Sequence, residues 1–323
     1  MSGTRAGPSG FRRFAFSDDR RLVETSVVGV MVVWALNFIV VKDVLTIMPP
    51  IAFTFLRYTL ASCTLLLILW RTEGAIRLPR PDGWRIIALG GLGFGVYQIL
   101  WTVGLQSIPA GDSALLVSST PVIVAVLAVI VGSDTLTPPK AAGVLLSFLG
   151  VVIVISAGVG IDLSGSPVGF ALTLGAALCW GIFTAVGARI LQRRTPLVLT
   201  AWGTVGGTLV LALPGIGQLI APGAIDASTS EDVVRIILSV AYSGILAAAL
   251  ANIIIFNGVR LLGPTRIITI QALVPAFAVV LAFVFLGEPI TLGQIVGGAV
   301  ILGGVALTRI ASRRPPVRRV ATT

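Results

Sequence analysis

The chain has 323 residues, of which 56% are hydrophobic and 11% charged, and a net charge of +10. A soluble protein of this length could not hide so much apolar surface in one core, so lipid is the solvent the sequence expects. The positive charge does not point to nucleic acid, because the arginines stand at the ends of apolar runs, and the absence of histidine removes the commonest general base and metal ligand.

Residues 1–24 are polar and Arg-rich and lack the short apolar core of a cleaved signal, so they read as a disordered tail. Ten apolar runs follow, each close to the roughly 20 residues a helix needs to cross hydrocarbon. They are Thr25 to Leu45, Ile51 to Trp70, Ile86 to Leu105, Ser113 to Val131, Pro139 to Gly158, Val168 to Ile190, Leu197 to Ile220, Val233 to Phe256, Ile267 to Leu286, and Leu292 to Ile310. Residues 311–323 hold Arg313-Arg314-Pro315-Pro316-Val317-Arg318-Arg319, whose like charges and prolines oppose packing and suit the surface of an anionic leaflet. Cys63 and Cys179 each sit inside an apolar run, which argues against a disulfide or metal framework.

An even number of spans puts both termini on one side. Placing them inside assigns twenty of the 23 basic residues to inner loops and tails, leaving Lys42 and Arg235 outside and Arg57 within span two. The outer loop 221–232 holds Asp226, Glu231 and Asp232 and no basic residue. Nine or eleven spans would destroy this asymmetry, so the sequence predicts a multi-pass plasma-membrane protein with cytoplasmic termini.

The chain also repeats itself at two fixed offsets. At 154, residues 121–151 align without gaps on 275–305, with Pro121 on Pro275, Thr137 on Thr291, Gly143 on Gly297, Gly150 on Gly304 and Asp134 on Glu288. At 146, Trp34 falls on Trp180, Pro50 on Pro196 and Thr54 on Thr200. Five spans per half is an odd number, so the second half begins on the side opposite the first. The predicted fold is an all-α polytopic membrane protein whose ten transmembrane helices form two inverted five-helix repeats, 25–158 and 159–310. That is an alternating-access architecture rather than a channel ring.

Two stretches carry a family likeness. Gly104-Leu105-Gln106-Ser107-Ile108-Pro109-Ala110-Gly111-Asp112-Ser113-Ala114-Leu115-Leu116 leads to Pro121, and Pro275 leads to Leu286-Gly287-Glu288-Pro289-Ile290-Thr291 and Gly303-Gly304-Val305. On these residues the chain resembles the drug/metabolite transporter (DMT) superfamily, in its EamA-like ten-span branch. The first half departs from the pattern, with Gly132-Ser133-Asp134-Thr135-Leu136-Thr137 where that family more often shows Gly-Glu-Pro. The resemblance covers nearly all of the chain between the tails and implies a carrier of amino acids or other small metabolites. It also implies a central cavity lined mainly by spans one to four and six to nine, with spans five and ten at the periphery.

Arg57 is the only formal charge well inside a span. Such a group costs about 2.5 kcal/mol or more at a helix centre, which makes it a site candidate by default. The resembled family commonly has Arg here. Snorkelling is the competing reading, since seven residues past Pro50 the backbone lies roughly 10 Å below the outer end. Its mirror position, Gly203, is uncharged. Tyr97, Gln98 and Trp101 share one face of span three, and the 154 offset sets Asn252 opposite Gln98. Such amides either bind substrate or join helices. Trp34 and Trp180 fall halfway along their spans, away from the interfacial belts, and suit a cavity wall. Asn37 and Gln271 complete the candidate lining. Pro121 and Pro275 remove backbone donors inside spans and are the candidate hinges. Gly293 with Gly297, and Gly143 with Gly150, form small-residue stripes for close packing that could also seat a second copy of the chain. Asp134 and Glu288 read as structural elements of hairpins.

No Asp or Glu occupies the middle of a span, so none is placed to titrate there during a transport cycle. The sequence has no convergent catalytic set and no Gly-rich phosphate loop, which disfavours an enzyme and a primary pump, and nothing in it calls for a cofactor or a metal ion. What it supports is a secondary transporter for a small molecule. Arg57 points to an amino acid or another carboxylate-bearing solute. The aromatic lining leaves cationic or hydrophobic drugs as the alternative, and a receptor or scaffold that moves nothing is the rival from another class.

Overall fold

The computed structural model describes residues 19–312 except 75, 131–136, 160–166, 224, 263–266 and 268–269. Most of both expected tails, and Asp134, lie outside the described residues. The helices are α1 (Arg20–Val44), α2 (Pro50–Glu73), α3 (Gly83–Ser107), α4 (Ala110–Val117 and Thr120–Ile130), α5 (Pro138–Val159), α6 (Pro167–Ile190), α7 (Pro196–Ile220), α8 (Ser230–Ala241, Tyr242–Leu250 and Ala251–Leu262), α9 (Leu273–Leu286) and α10 (Leu292–Ser312). Eight are long and apolar enough to cross a membrane, and α9 and α10 supply shorter apolar stretches.

Several helix limits differ from the sequence expectation by a few residues, and two of them take residues out of the expected tails. Helix α1 begins before Thr25, because the Asp19 side chain caps it by accepting from the Arg21 N–H at 2.9 Å and Val23 is buried in a cluster with Ile255 and Ile267. Residues 20–24 are therefore helix rather than tail. Likewise α10 runs on to Ser312, two residues into the expected C-terminal tail.

The radial pattern is that of a protein in lipid. Leu213 is 86% exposed and Ile220 77%, while Thr54, Thr102, Thr200, Thr204 and Ser243 are buried. Apolar residues outside and hydroxyls inside is stable only where the surroundings are themselves apolar.

Packing repeats between the halves. Helix α1 packs on α8 and α9 as α6 packs on α3 and α4, α2 meets α8 as α7 meets α3, and α2 with α7 and α5 with α10 pair across the axis. Exchanging each helix for the one five places away leaves this pattern unchanged, as two inverted repeats require. Local bonds repeat too. Thr54 donates to the Pro50 carbonyl at 2.7 Å and Thr200 to the Pro196 carbonyl at 2.8 Å. Arg194, beyond α6, pairs with Asp82 at the start of α3 (3.1 Å), and Asp43 at the end of α1 pairs with Arg235 at the start of α8. These two pairs occupy equivalent places with their charges exchanged.

The Glu288 carboxylate accepts from the Ala110 N–H at 2.9 and 3.0 Å, beyond the far end of α3 from Asp82. The 25 residues of α3 span about 35 Å, so Arg194 and Glu288 mark opposite ends of the bundle. Gly287, at φ +68°, closes α9 in the left-handed conformation that lets Glu288 turn back onto α4.

The glycine stripes of α5 and α10 meet each other within the chain. Gly143 faces Gly304 and Thr308, Gly293 faces Ala157, and a Cβ on Gly150 would stand 2.6 Å from the Ile301 nitrogen. Those surfaces are taken up internally, so they are not where a second copy packs.

Two irregularities recur in both halves. Residues Gly91–Val96 of α3 and Tyr242–Leu250 of α8 form wide π-helical turns, ending just before the mirrored amides Gln98 and Asn252. The other is a break. Helix α4 is interrupted at Ser118–Ser119 and α9 begins after a turn at Ala272. Pro121 and Pro275 thus lie in the first turn of a new segment, where a missing N–H costs little. The helices are interrupted before the prolines rather than kinked at them. At the α4 break, Ser118, Ser119 and Thr120 donate to the carbonyls of Leu115, Leu116 and Val117 at 2.6 to 2.7 Å. Three hydroxyls therefore bond carbonyls of the turn before the interruption, with the Leu116 carbonyl also accepting from the Ser119 N–H at 3.1 Å.

Candidate functional site

Between the halves lies a cavity of about 470 Å³, and its wall contains all eleven residues singled out in the sequence: Trp34, Asn37, Arg57, Tyr97, Gln98, Trp101, Trp180, Asn252 and Gln271, with Pro121 and Pro275. Among the described residues its only formally charged lining residue is Arg57.

Arg57 is 2% exposed. It stands on the inward face of α2, and its guanidinium lies 5.3 to 5.5 Å from the ring centres of Phe53, Tyr58 and Trp101. One terminal nitrogen donates to Gln98 Oε1, Gln98 Nε2 donates to the Tyr58 hydroxyl at 2.7 Å, and Arg57 Nε has no partner. Among the described residues no carboxylate lies within ion-pair distance of it. Snorkelling is excluded by this geometry, since the side chain turns inward. Aromatic faces compensate a desolvated cation by about 0.5 to 2 kcal/mol each. That leaves a buried positive charge with room for an anionic ligand.

The mirror of Arg57 shows why the second half does not duplicate it. Phe94 covers Gly203, its ring within 3.1 Å of where a Cβ would stand, whereas the residue equivalent to Phe94 in the second half is the small Ala248. Large and small residues have changed places across the axis. Phe94 then begins an aromatic cluster with Phe183 (4.7 Å) and Trp180 (5.8 Å), and Tyr97 joins it through Trp180 at 5.6 Å. Asn37, whose mirror is Phe183, instead accepts from Ser243 Oγ at 2.6 Å. The cavity accordingly has one polar flank, built by α1, α2 and α8, and one aromatic flank, built by α3 and α6.

The other candidates also have distinct surroundings. Trp34 Nε1 donates to the Ala247 carbonyl, within the wide turns of α8, at 3.0 Å. Trp101 Nε1 donates to Ser113 Oγ at 3.2 Å, and its ring stacks parallel to Tyr97. Gln271 lines the cavity immediately before the Ala272 turn. Asn252 Nδ2 donates to Ala248 O of its own helix at 2.8 Å, and its Oδ1 is buried without a partner.

Tyr58, Phe94 and Ser243 were not legible as site residues. Counted at about 3.6 residues per turn, the nine positions from Ser243 to Asn252 make two and a half turns and put them on opposite faces. The π-helical turns bring both to the wall. Leu302, Val305 and Thr308 of α10 line it too, so α10 is not purely peripheral as the resemblance implied. It reaches the cavity because α4 and α9 are interrupted in front of it.

The wall reaches Ala125, Thr184 and Thr308 toward the Arg194 end and Phe38, Arg57 and Ala114 toward the Glu288 end, each within about two turns of its helix terminus. At the Glu288 end the bundle is pinned beyond these residues. Lys42 Nζ donates to the carbonyls of Leu105 (2.7 Å) and Ile108 (2.6 Å), Glu288 caps α4, and Gln294 donates to the buried Asp112 at 2.8 Å.

A model described as the EamA-like transporter family matches residues 22–156 and again 167–310. A probable amino-acid metabolite efflux pump of Salmonella typhimurium is 29% identical, over 90% of this chain and 95% of its own. A probable terminal-alkyne amino-acid exporter of Streptantibioticus cattleyicolor is 31% identical, over 77% of this chain and 80% of its own. A solved crystal structure at 20% identity superposes with a TM-score of 0.61, covering 92% of this chain and 99% of that one, which is similarity of fold.

Proposed function

The chain belongs to the EamA-like transporter family, and on that premise we propose that it carries an amino acid or a similar carboxylate-bearing metabolite across the plasma membrane by alternating access. The observation that carries the reading is Arg57, a buried guanidinium on the cavity wall with no carboxylate partner among the described residues. A substrate carboxylate would complete it, and charge-assisted bonds of this type contribute about 1.5 to 3 kcal/mol. The names of the Salmonella and Streptantibioticus relatives support the substrate class.

The arginine-rich loops favour putting the Arg194 end in the cytoplasm, with both termini. The Lys42 and Glu288 contacts then lie on the outer side, and rocking of the inverted halves would open and re-form them. Among the described residues the lining has no carboxylate, which favours facilitated passage over proton exchange at a residue of the cavity.

A second reading comes from the aromatic flank of Phe94, Tyr97 and Trp180, which suits flat cationic drugs. Arg57 repels such cations, so we rank it below. The two are separated by melting the purified protein with free amino acids, with carboxylates, and with cationic drugs. Stabilisation by the first two supports the carboxylate reading, and stabilisation by the cations alone refutes it.

A further inference from the structure

We propose that Asn252 is the amine-recognition residue of the cavity, so that the substrate is a zwitterion held by its carboxylate at Arg57 and by its ammonium at Asn252. The inference rests on the carboxylate reading above and adds a second recognition point to it.

Gln98 and Asn252 occupy equivalent positions after equivalent π-helical segments, yet their amides are used differently. Gln98 has both ends engaged with α2, its oxygen by Arg57 and its nitrogen by Tyr58. It joins helices and positions the charge. Asn252 makes no such bond. Its nitrogen donates to Ala248, four residues back in the same helix, and this leaves the oxygen as an acceptor with a fixed orientation. That oxygen is buried without a partner in a residue 4% exposed, and the residue lines the same cavity as Arg57. Buried acceptors are nearly always satisfied, so an orphan on a cavity wall marks the place of a ligand donor. Neighbouring groups narrow the choice. Arg57 is a donor with an unpartnered Nε, while Asn37 Oδ1 is occupied by Ser243. The polar flank therefore offers one donor to an anion and one open amide acceptor to an N–H group. A solute with a carboxylate and a protonated amine satisfies both, and its side chain would face the aromatic flank.

The test uses the full-length protein in detergent, with intrinsic fluorescence of the cavity tryptophans as the binding signal. The probes are L-phenylalanine, N-acetyl-L-phenylalanine and 3-phenylpropanoate, which share a carboxylate and a ring and differ only at the amine. The wild type is expected to bind the free amino acid roughly tenfold or more tightly than either analogue, the effect of one lost charge-assisted bond. Asn252→Leu is expected to lose that preference while still binding 3-phenylpropanoate. Asn252→Asp is expected to widen the preference. Because the one bond Asn252 makes is local to its helix, neither change removes a described link between helices, and melting temperatures check the fold. Equal affinity for all three probes in the wild type, or an unchanged preference in Asn252→Leu, would overturn the proposal while leaving the carboxylate reading intact. Failure of every carboxylate probe, with binding of phenethylamine, would overturn the carboxylate reading and this one with it.

Discussion

Arg57 donates to the amide oxygen of Gln98, and through that bond the buried guanidinium on the cavity wall is tied to α3. Gln98 also donates to Tyr58, so its amide cannot turn over without losing both contacts. Replacing Gln98 by Glu supplies the carboxylate that Arg57 lacks. The expected outcome is a higher melting temperature together with a loss of carboxylate binding, because the internal partner competes with the ligand. Gln98→Leu should weaken binding less than Gln98→Glu does. Titrations on both variants check this ordering, and tighter binding in Gln98→Glu would contradict it.

The contacts at the Glu288 end predict a gate. Lys42→Ala removes the donor that holds the α3 terminus, and Glu288→Gln weakens the cap on α4 by about 1.5 to 3 kcal/mol. In a background without Cys63 and Cys179, a cysteine at Ala114 should react with an impermeant reagent from that end several-fold faster in either variant. Unchanged labelling would mean that closure at this end does not depend on these bonds.

The exchanged ion pairs predict the opposite. Both Arg194–Asp82 and Asp43–Arg235 are formed together at opposite ends of the bundle, which makes them struts rather than alternating gates. They are partly exposed, so Asp43→Asn should cost less than about 1 kcal/mol of stability and leave Ala114 labelling as it was. A large rise in labelling would place this pair in the gate.

Helix contact between α5 and α10 should be intolerant of size. A Cβ at Gly150 would crowd Ile301 and Gly297, whereas one at Gly217 would meet nothing within 4 Å. Gly150→Leu is expected to reduce the yield of monodisperse protein and its melting temperature, as overpacking does. Gly217→Ala should be neutral or stabilising by about 0.5 to 1 kcal/mol. Equal tolerance at both positions would contradict the packing described.

Hydropathy and basic-residue placement were enough to read ten spans, because burying a helix in lipid demands about 20 apolar residues whatever the sequence does elsewhere. The repeat was legible through Pro50 and Pro196, Thr54 and Thr200, and Trp34 and Trp180, residue types that recur rarely by chance in apolar helices. Irregular backbone was not legible. Gly91–Val96 and Tyr242–Leu250 change helical register, so Ser243 joined the wall unannounced. The breaks before Pro121 and Pro275 opened a path to α10 that a continuous helix would have closed. Interhelical partners were equally hidden, since nothing in the spacing of Gln98 and Asn252 tells which amide is engaged across helices and which is left with an open oxygen.

The central claim is that Arg57 binds the carboxylate of a transported solute. Counterflow of labelled L-phenylalanine into proteoliposomes, comparing wild type with an equally inserted and equally stable Arg57→Gln, tests it most directly. Saturable exchange is expected in the wild type, inhibited by other free amino acids and not by phenethylamine, with apparent affinity falling roughly 10- to 150-fold in the variant. Identical exchange by both proteins, or exchange of the amine without the carboxylate, would contradict it.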